Sequence, residues 1–482
     1  MSKYLYGASV QGIQSFIFQT NKLRDIVGAS ELVREVCEDM FSDFCEKKCK
    51  PQSHDVIVQA AGNIKCVFDD KDDCSKVVLD FPRQVLKAAP GITISQAVVP
   101  FEEGSNDAFG IAIMELEKLL KAQRNRPVSS LTTGLMAIER SRATGLPAIG
   151  VEKGDYLDEA AQAKRDKETT KKLCEISFGR EVNEREIAYD IEKMTERNDW
   201  IAVIHADGNG LGKVVQDIGH DREKFKKFSK QLDEATKKAA KATYSQVNKM
   251  FEKCDCIPLR PVVLSGDDMT IICRADIAIP YTQAFLENFE KETANLEYCR
   301  ANNSSLTACA GIAFIKSSFP FYYGYNLAEE LCSAAKSAAN RETSCLMFHK
   351  VQSSFVEDYG EIKKKELTTC DGGSFAFGPY FIKEKNGFWT IENLMSEVSK
   401  LSKDSKEGNA VKSSMRKWAS LMHKDVGQAA QLKLRAKYII GEKSNLGKLF
   451  EDATKPTERA NVHYYPVYDL LTLVAINNQK TK

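Results

Sequence analysis

The chain lacks any run approaching the roughly 18 consecutive apolar residues that a membrane-spanning helix needs. Its start, Met1-Ser2-Lys3-Tyr4-Leu5, lacks the apolar core of a signal peptide. Both absences lead us to expect a soluble, cytoplasmic protein with no membrane partner. It also lacks a dominant charge: 68 basic residues against 67 acidic ones leave +1. No global field recruits nucleic acid, so any basic surface must be local. No Cys-x-x-Cys pair occurs among the 14 cysteines. The closest spacings, Cys45/Cys49 and Cys254/Cys256, have no second pair or histidine cluster nearby. No zinc is therefore expected, and thiols in apolar runs, such as Cys66, Cys273 and Cys309, read as buried and reduced. Histidine is scarce, with six in the chain. His54-Asp55 and His220-Asp221 are His-Asp dipeptides without the further partners of a metal phosphohydrolase. His205 reads as a packing residue. Walker loops, Gly-x-Ser-x-Gly elbows and Rossmann fingerprints are missing too.

What is present begins with length. The 482 residues, 43% of them hydrophobic, suffice for roughly three domains with sizeable cores. Within them one order of elements occurs twice. Residues 4–10 read as a strand and 28–44 as a helix. Residues 55–60 and 64–68 form a hairpin around Ala61-Gly62-Asn63. Residues 74–89 are helical in period, with Pro82 expected to kink or split them. A strand over 92–99 and a helix over 106–122 follow. Residues 199–350 repeat that order: strand 200–206, helix 222–253, a hairpin at Ser265-Gly266-Asp267-Asp268, helix 279–296, strand 306–315, helix 327–339 and strand 345–349.

The fold expected is α+β: two ferredoxin-like, palm-type (nucleotide cyclase-like) domains with helices on one face of each sheet. The domains expected are 1–127, a non-catalytic palm; 128–198, a solvated helical connector; 199–352, the catalytic palm; and 353–482, a mainly helical end.

Only the second copy carries acids at its turns. Trp200-Ile201-Ala202-Val203-Ile204 leads into Asp207, and Pro261-Val262-Val263-Leu264 leads into Asp267 and Asp268. If those strands are neighbours, three carboxylates meet at one sheet edge. Hard oxygen donors in that arrangement suit two Mg2+ or Mn2+ ions acting on a nucleotide triphosphate. Asp207, Asp267 and Asp268 are the candidate catalytic and metal residues, joined by the Gly208 carbonyl as a metal ligand. The turn Gly208-Asn209-Gly210-Leu211-Gly212 leads towards a helix and is a candidate phosphate cradle. Ser265 and Gly266 are candidate nucleotide contacts, and Lys336 a candidate partner of the β- and γ-phosphates. Each short motif alone also occurs as an ordinary turn.

These residues resemble the large polymerase-like subunit of type III CRISPR effector complexes, a two-palm family related to GGDEF-type cyclases. Gly12-Ile13-Gln14-Ser15-Phe16-Ile17-Phe18 with Leu23-Arg24-Asp25-Ile26-Val27-Gly28-Ala29-Ser30 is similar to the start of its first palm. The Asp207 and Asp267-Asp268 motifs are similar to its second. Ala310-Gly311-Ile312-Ala313 and Leu327-Ala328-Glu329-Glu330-Leu331, then Ala335-Lys336, resemble the strand and helix that follow. The resemblance implies synthesis of cyclic oligonucleotides, typically cyclic oligoadenylate, from ATP, as a second messenger in antiviral defence. Asp207, Asp267 and Asp268 would hold the metals, Lys336 would contact the triphosphate, and the acceptor nucleotide would sit between the palms.

Three departures stand out. Ser265-Gly266 replaces the family's usual two glycines. No His-Asp nuclease domain is expected. Residues 141–148 lie where the family often has cysteines, again without zinc. Implied partners are ATP, other CRISPR effector subunits and guide or target RNA; a homo-oligomer stays open. Alternatives are a scaffold subunit with a dispensable palm, using basic residues such as Lys412, Arg416, Lys433 and Lys437, or a cyclase for another base.

Overall fold

The computed structural model describes residues 2–60, 62–103, 107–126, 137–152, 154–195, 200–353, 357–402, 406–441 and 444–477. The expected divisions at 127/128 and 198/199, the turn residue Ala61 and the helix start at 106 lie outside the described residues.

Two sheets organise the chain. In the first, β1 (Ser2–Gln11), β2 (His54–Ala60), β3 (Asn63–Phe68) and β4 (Thr93–Glu102) lie in the order β2-β3-β1-β4. All neighbours are antiparallel. A small hairpin, β5 (Gly150–Glu152) with β6 (Asp155–Leu157), follows. The second sheet holds β7 (Trp200–Gly208), β8 (Leu259–Ser265), β9 (Asp268–Arg274), β10 (Ala308–Lys316), β11 (Cys345–Lys350) and β12 (Tyr380–Phe381), in the order β12-β11-β10-β7-β9-β8. Its inner part, β8-β9-β7-β10, repeats the strand order and antiparallel pairing of the first sheet. β11 adds in parallel and β12 antiparallel. The helical end thus lends β12 to the second sheet, across the division expected at 352/353. That end also carries the hairpin of β13 (Thr457–Arg459) and β14 (Val462–Tyr464). Its helices among the described residues span Tyr359–Glu366, Ile391–Ser402, Lys406–Met422, Val426–Ile440, Asn445–Thr454 and Val467–Asn477.

Helices cover both faces of each sheet, not one as expected. Neighbouring strand residues point to opposite faces. Tyr6 stacks on Phe41, which meets Phe81 edge-on, so helices Asp39–Lys48 and Lys71–Ala88 take that side. Gly7 faces Leu116 of helix Ala108–Arg124 on the other. In the second sheet, Gly311 of β10 lets helix Phe321–Ala338 approach so closely that a Cβ there would lie 1.9 Å from the Ala328 carbonyl oxygen. That helix therefore lies on the face of β10 that Gly311 shares with Ile315.

Other expectations shift for local reasons. The helix expected over 28–44 is two, Leu23–Cys37 and Asp39–Lys48. Helix Lys71–Ala88 runs through Pro82 without splitting. Proline leaves the carbonyl four residues back without its N–H, and the Gln96 side-chain amide donates to that carbonyl, on Val78, at 2.8 Å. Helix Arg222–Val247 starts where the Asp221 carboxylate accepts the Lys224 N–H at 3.1 Å, an N-cap bond. Asp221 of the His220-Asp221 dipeptide is thereby accounted for. The final helix begins at Phe321, earlier than the expected 327.

The connector is not solvated. Its Leu173, Cys174, Phe178 and Val182 are buried, and Phe178 stacks on Tyr244 at 4.2 Å between ring centres. Its charges pair inward. Lys167 meets Glu35 at 2.6 Å and Arg165 meets Asp25 at 3.3 Å. Buried Lys164 donates to the Phe16 carbonyl at 2.7 Å. A charge-rich composition hides these apolar positions. The two sheet units also touch directly: Asp55 pairs with Arg222 and Lys226, and Phe18 stacks on Tyr325 at 4.7 Å.

Candidate functional site

The pleat of β7 puts His205 and Asp207 on one face, with Ala206 on the other. The register pairs His205 with Thr270 and Ala206 with Met269, so Asp268 lies on the same face as Asp207. His205, Asp207 and Asp268 bring ligand atoms within 4.8 Å of one another. Asp268 is the first residue of β9, paired with Ser265, so only Gly266 and Asp267 form the hairpin tip. Gly266 has φ +64°, and Asp267 is not among the residues with positive φ. That pattern fits a type II′ turn, which takes glycine first.

The carboxylates are crowded and half-withdrawn from water. Burial, then the charge of Asp207, pushes Asp268 up to about 7. Burial, then the charges of Asp268 and Asp207, pushes Asp267 well above the usual carboxylate range. Burial lowers His205 to about 4, which keeps its imidazole neutral at physiological pH. Its Nδ1 lies 3.2 Å from Thr270 Oγ1, and its ring meets Tyr325 edge-on. Glu329, on the same helix as Tyr325 and Lys336, is raised by burial and by Asp207. It is a fourth acid that the sequence reading missed. Its place seven residues before Lys336, two helical turns on one face, was the available signal.

Lys336 reaches the site. Its ammonium pairs with Asp207 and donates to the Gly208 carbonyl at 2.8 Å. It thus stands on two of the expected metal donors, whereas it was expected on phosphate. The donor set suits a divalent cation. Acids raised by burial and by one another's charge gain from positive charge, and the lysine already places one there. Asp207, the Gly208 carbonyl, Asp267 and Asp268 offer oxygen; His205 adds a neutral nitrogen that Mn2+ accepts more readily than Mg2+.

The glycine turn divides in two. Asn209 points inward: its side-chain amide donates to Thr307 Oγ1 at 2.9 Å and to Cys309 Sγ at 3.4 Å. Gly210, at φ +71°, ends the turn before helix Leu211–Ile218. Gly212 has open space beside its Cα. Gly208 is tight: a Cβ there would lie 2.9 Å from Asp267 Oδ2. The Gly266 N–H and carbonyl are both engaged by helix Arg222–Val247, through Asp233 and Thr236.

A cavity of about 130 Å³ opens beside the acids. Gln14, Phe18, Arg34 and Gly62 of the first sheet unit line it, with His205, Ser265, Asp268 and Tyr325 of the second. Of the basic residues weighed at the helical end, Lys412 is buried, and Lys433 and Lys437 both pair with Glu451.

Residues 200–345 match the family model of the Cas10/Cmr2 second palm domain. No curated protein matches the chain. Solved structures do. A Csm1-Csm4 cassette in complex with cA4 aligns with a TM-score of 0.62 at 13% identity, over 99% of this chain and 70% of that one. Csm1 in T. onnurineus aligns at 0.62 and 13%, over 99% and 69%. A Csm1-Csm4 cassette in complex with AMPPNP aligns at 0.60 and 14%, over 99% and 70%. At such identities the likeness is one of fold. Among the described residues, no helix is long and apolar enough to cross a membrane.

Proposed function

We propose that this chain is a metal-dependent nucleotidyltransferase that joins ATP into cyclic oligoadenylate, as the large subunit of a CRISPR-type antiviral effector. The observation that carries this reading is the approach of Asp207 and Asp268, with Asp267 against Gly208, within the segment that matches a second palm. Two ferredoxin-like palms, 1–127 and 199–352, joined by 128–198 and followed by 353–482, are the architecture we assign to it. Cytoplasmic residence and partnership with smaller effector subunits and guide RNA belong to the same reading. It draws on the Csm1-Csm4 pairing and on the cA4 and AMPPNP complexes of the structural relatives.

Asp207, the Gly208 carbonyl, Asp267 and Asp268 would hold the ions. Divalent ions bound there would make a ribose hydroxyl more acidic and offset the charge of the departing pyrophosphate. The residues of the chain do the rest. Lys336, displaced from Asp207, has its ammonium beside Gly208, where a triphosphate would lie. Gly210, before helix Leu211–Ile218, and Gly212, in its first turn, let the backbone there approach phosphate. The cavity lined by both sheet units, at about 130 Å³, would take the base or ribose of one nucleotide but not its triphosphate, with Ser265 at its edge, so the first unit acts as a wall and not as a second centre.

The test is incubation of the purified protein with each NTP and Mg2+ or Mn2+, with and without RNA, with products identified by mass spectrometry. Cyclic adenylates are expected, and Asp267→Ala/Asp268→Ala should lose at least roughly a thousandfold in rate, the scale of removing an electrostatic clamp. Full synthesis by that variant would overturn the site. A second reading has one observation in its favour. Lys336 already neutralises Asp207, as it would in a palm kept only as scaffold. No product under any condition would favour it.

A further inference from the structure

Gly266 is the first residue of a two-residue turn, and its backbone groups lie outside the β8–β9 ladder. Buried peptide groups in that position need partners from elsewhere. Helix Arg222–Val247 supplies both. The Asp233 carboxylate accepts the Gly266 N–H at 3.0 Å, and the Thr236 hydroxyl donates to the Gly266 carbonyl at 2.6 Å. Thr236 also lies 3.1 Å from the Leu232 carbonyl. A hydroxyl carries one proton, and the shorter contact takes it. Thr236 is fully buried, and Asp233 is steadied by Lys237 at 2.5 Å.

The direction of the Gly266 carbonyl matters. Types I′ and II′ differ by a flip of the peptide between the two turn residues. The flip reverses that carbonyl and moves the second residue, Asp267, to positive φ. Aspartate tolerates positive φ better than most residues, so sequence alone does not forbid it. Flipping would swing the Asp267 carboxylate away from Gly208 and its neighbouring acids.

We propose that Asp233 and Thr236 are positioning residues that lock the Gly266–Asp267 peptide, so that Asp267 faces Asp207 and Asp268. Neither touches the reacting atoms. The inference rests on the reading of this cluster as a divalent-cation site.

Thr236→Val keeps the shape and removes the donor; Thr236→Ser keeps the donor. Mn2+ binding to the full-length protein is measured by the electron spin resonance of free Mn2+, and adenylate synthesis is followed in parallel. Thr236→Val is expected to weaken Mn2+ binding about tenfold, the scale of one lost hydrogen bond. Thr236→Ser is expected to restore it. Asp233→Asn, which can still accept the N–H, should bind like the unmodified protein, whereas Asp233→Ala should not. Thr236→Val and Asp233→Ala both binding Mn2+ as tightly as the unmodified protein would overturn the lock. Loss of binding in Thr236→Ser equal to that in Thr236→Val would overturn it too. Mn2+ binding that follows this pattern in a protein making no nucleotide product would leave the lock standing and remove the enzymatic reading. Failure of the unmodified protein to bind Mn2+ would remove both.

Discussion

Neutralising Asp268 should make the metal-free protein more stable above neutral pH. In the folded chain this carboxyl titrates at about 7, against an ordinary 3.8, because it is buried beside Asp207. The folded state then holds the proton more tightly than the unfolded one. The stabilisation is fully present below about pH 4 and is lost as pH rises through 7. The full displacement corresponds to roughly 4 kcal/mol. The other acids of the cluster and the burial of the site remain in the variant, so about 1–3 kcal/mol is the share that Asp268→Asn should recover at pH 8. For a unit of this size that is a rise of about 2–6 °C in the melting midpoint. The assay is thermal unfolding followed by circular dichroism, at pH 5 and pH 8, with chelator or with Mn2+. At pH 5 the two proteins should differ less than at pH 8. At pH 8 Mn2+ should raise the unmodified protein and leave Asp268→Asn much less affected. A variant that melts at or below the unmodified protein at pH 8 in chelator would refute the argument. So would an equal response to Mn2+, because the crowding would then not be electrostatic.

Two further predictions test the geometry around that cluster. Gly208→Ala would put a Cβ 2.9 Å from Asp267 Oδ2 and 3.0 Å from Asp267 Cβ and Leu211 Cδ1; synthesis should fall about tenfold to a hundredfold with the melting midpoint nearly unchanged, and normal turnover would show that Asp267 has room to spare. Gly311→Ala would meet the Ala328 carbonyl oxygen at 1.9 Å and the Cys332 nitrogen at 2.5 Å. Helix Phe321–Ala338 must then lift from the sheet and carry Lys336 with it, costing about 3 kcal/mol; an unshifted midpoint in denaturant would contradict so close an approach.

The fold was legible where local chemistry and periodicity agree. Short apolar runs ended by Gly and Asp mark β7 and the β8–β9 hairpin, and their pairing brings Asp207 beside Asp268. The repeated element order foreshadows the shared strand order of the two sheets. Less was legible where a partner is distant in sequence. Nothing near Pro82 indicates that Gln96 will take up the Val78 carbonyl. Asp233 and Lys237 read as an ordinary pair one helical turn apart, although Asp233 also holds Gly266. Lys336 was expected on phosphate, and only its contact with Asp207 shows a competing role. Asn209 sat in a glycine-rich turn that suggested ligand contact, yet its amide faces Thr307 and Cys309. A solvated connector was inferred from charge content, which does not register that Lys164, Arg165 and Lys167 each have a partner on a neighbouring element.

The first unit has a physical reason to carry no acid at its hairpin turn. Its hairpin turn carries Gly62 at φ +76°, where a Cβ would lie 2.3 Å from Ile13 Cδ1. The corresponding turn of the second sheet carries Asp267 beside Gly208. An apolar side chain thus closes one turn and carboxylates crowd the other, while both turns border the same cavity. Placing acids at both would set like charges across a poorly hydrated gap, where repulsion is strong. The chain instead confines the strain of crowded carboxylates to one side, where Lys336 relieves it and a helix holds the turn. The opposite side presents Gln14 and Arg34, whose guanidinium is already paired with Glu31, Glu38 and Asp39. The acid of that side that lines the cavity, Glu38, is thus neutralised within its own unit, while the crowded carboxylates lie across from it.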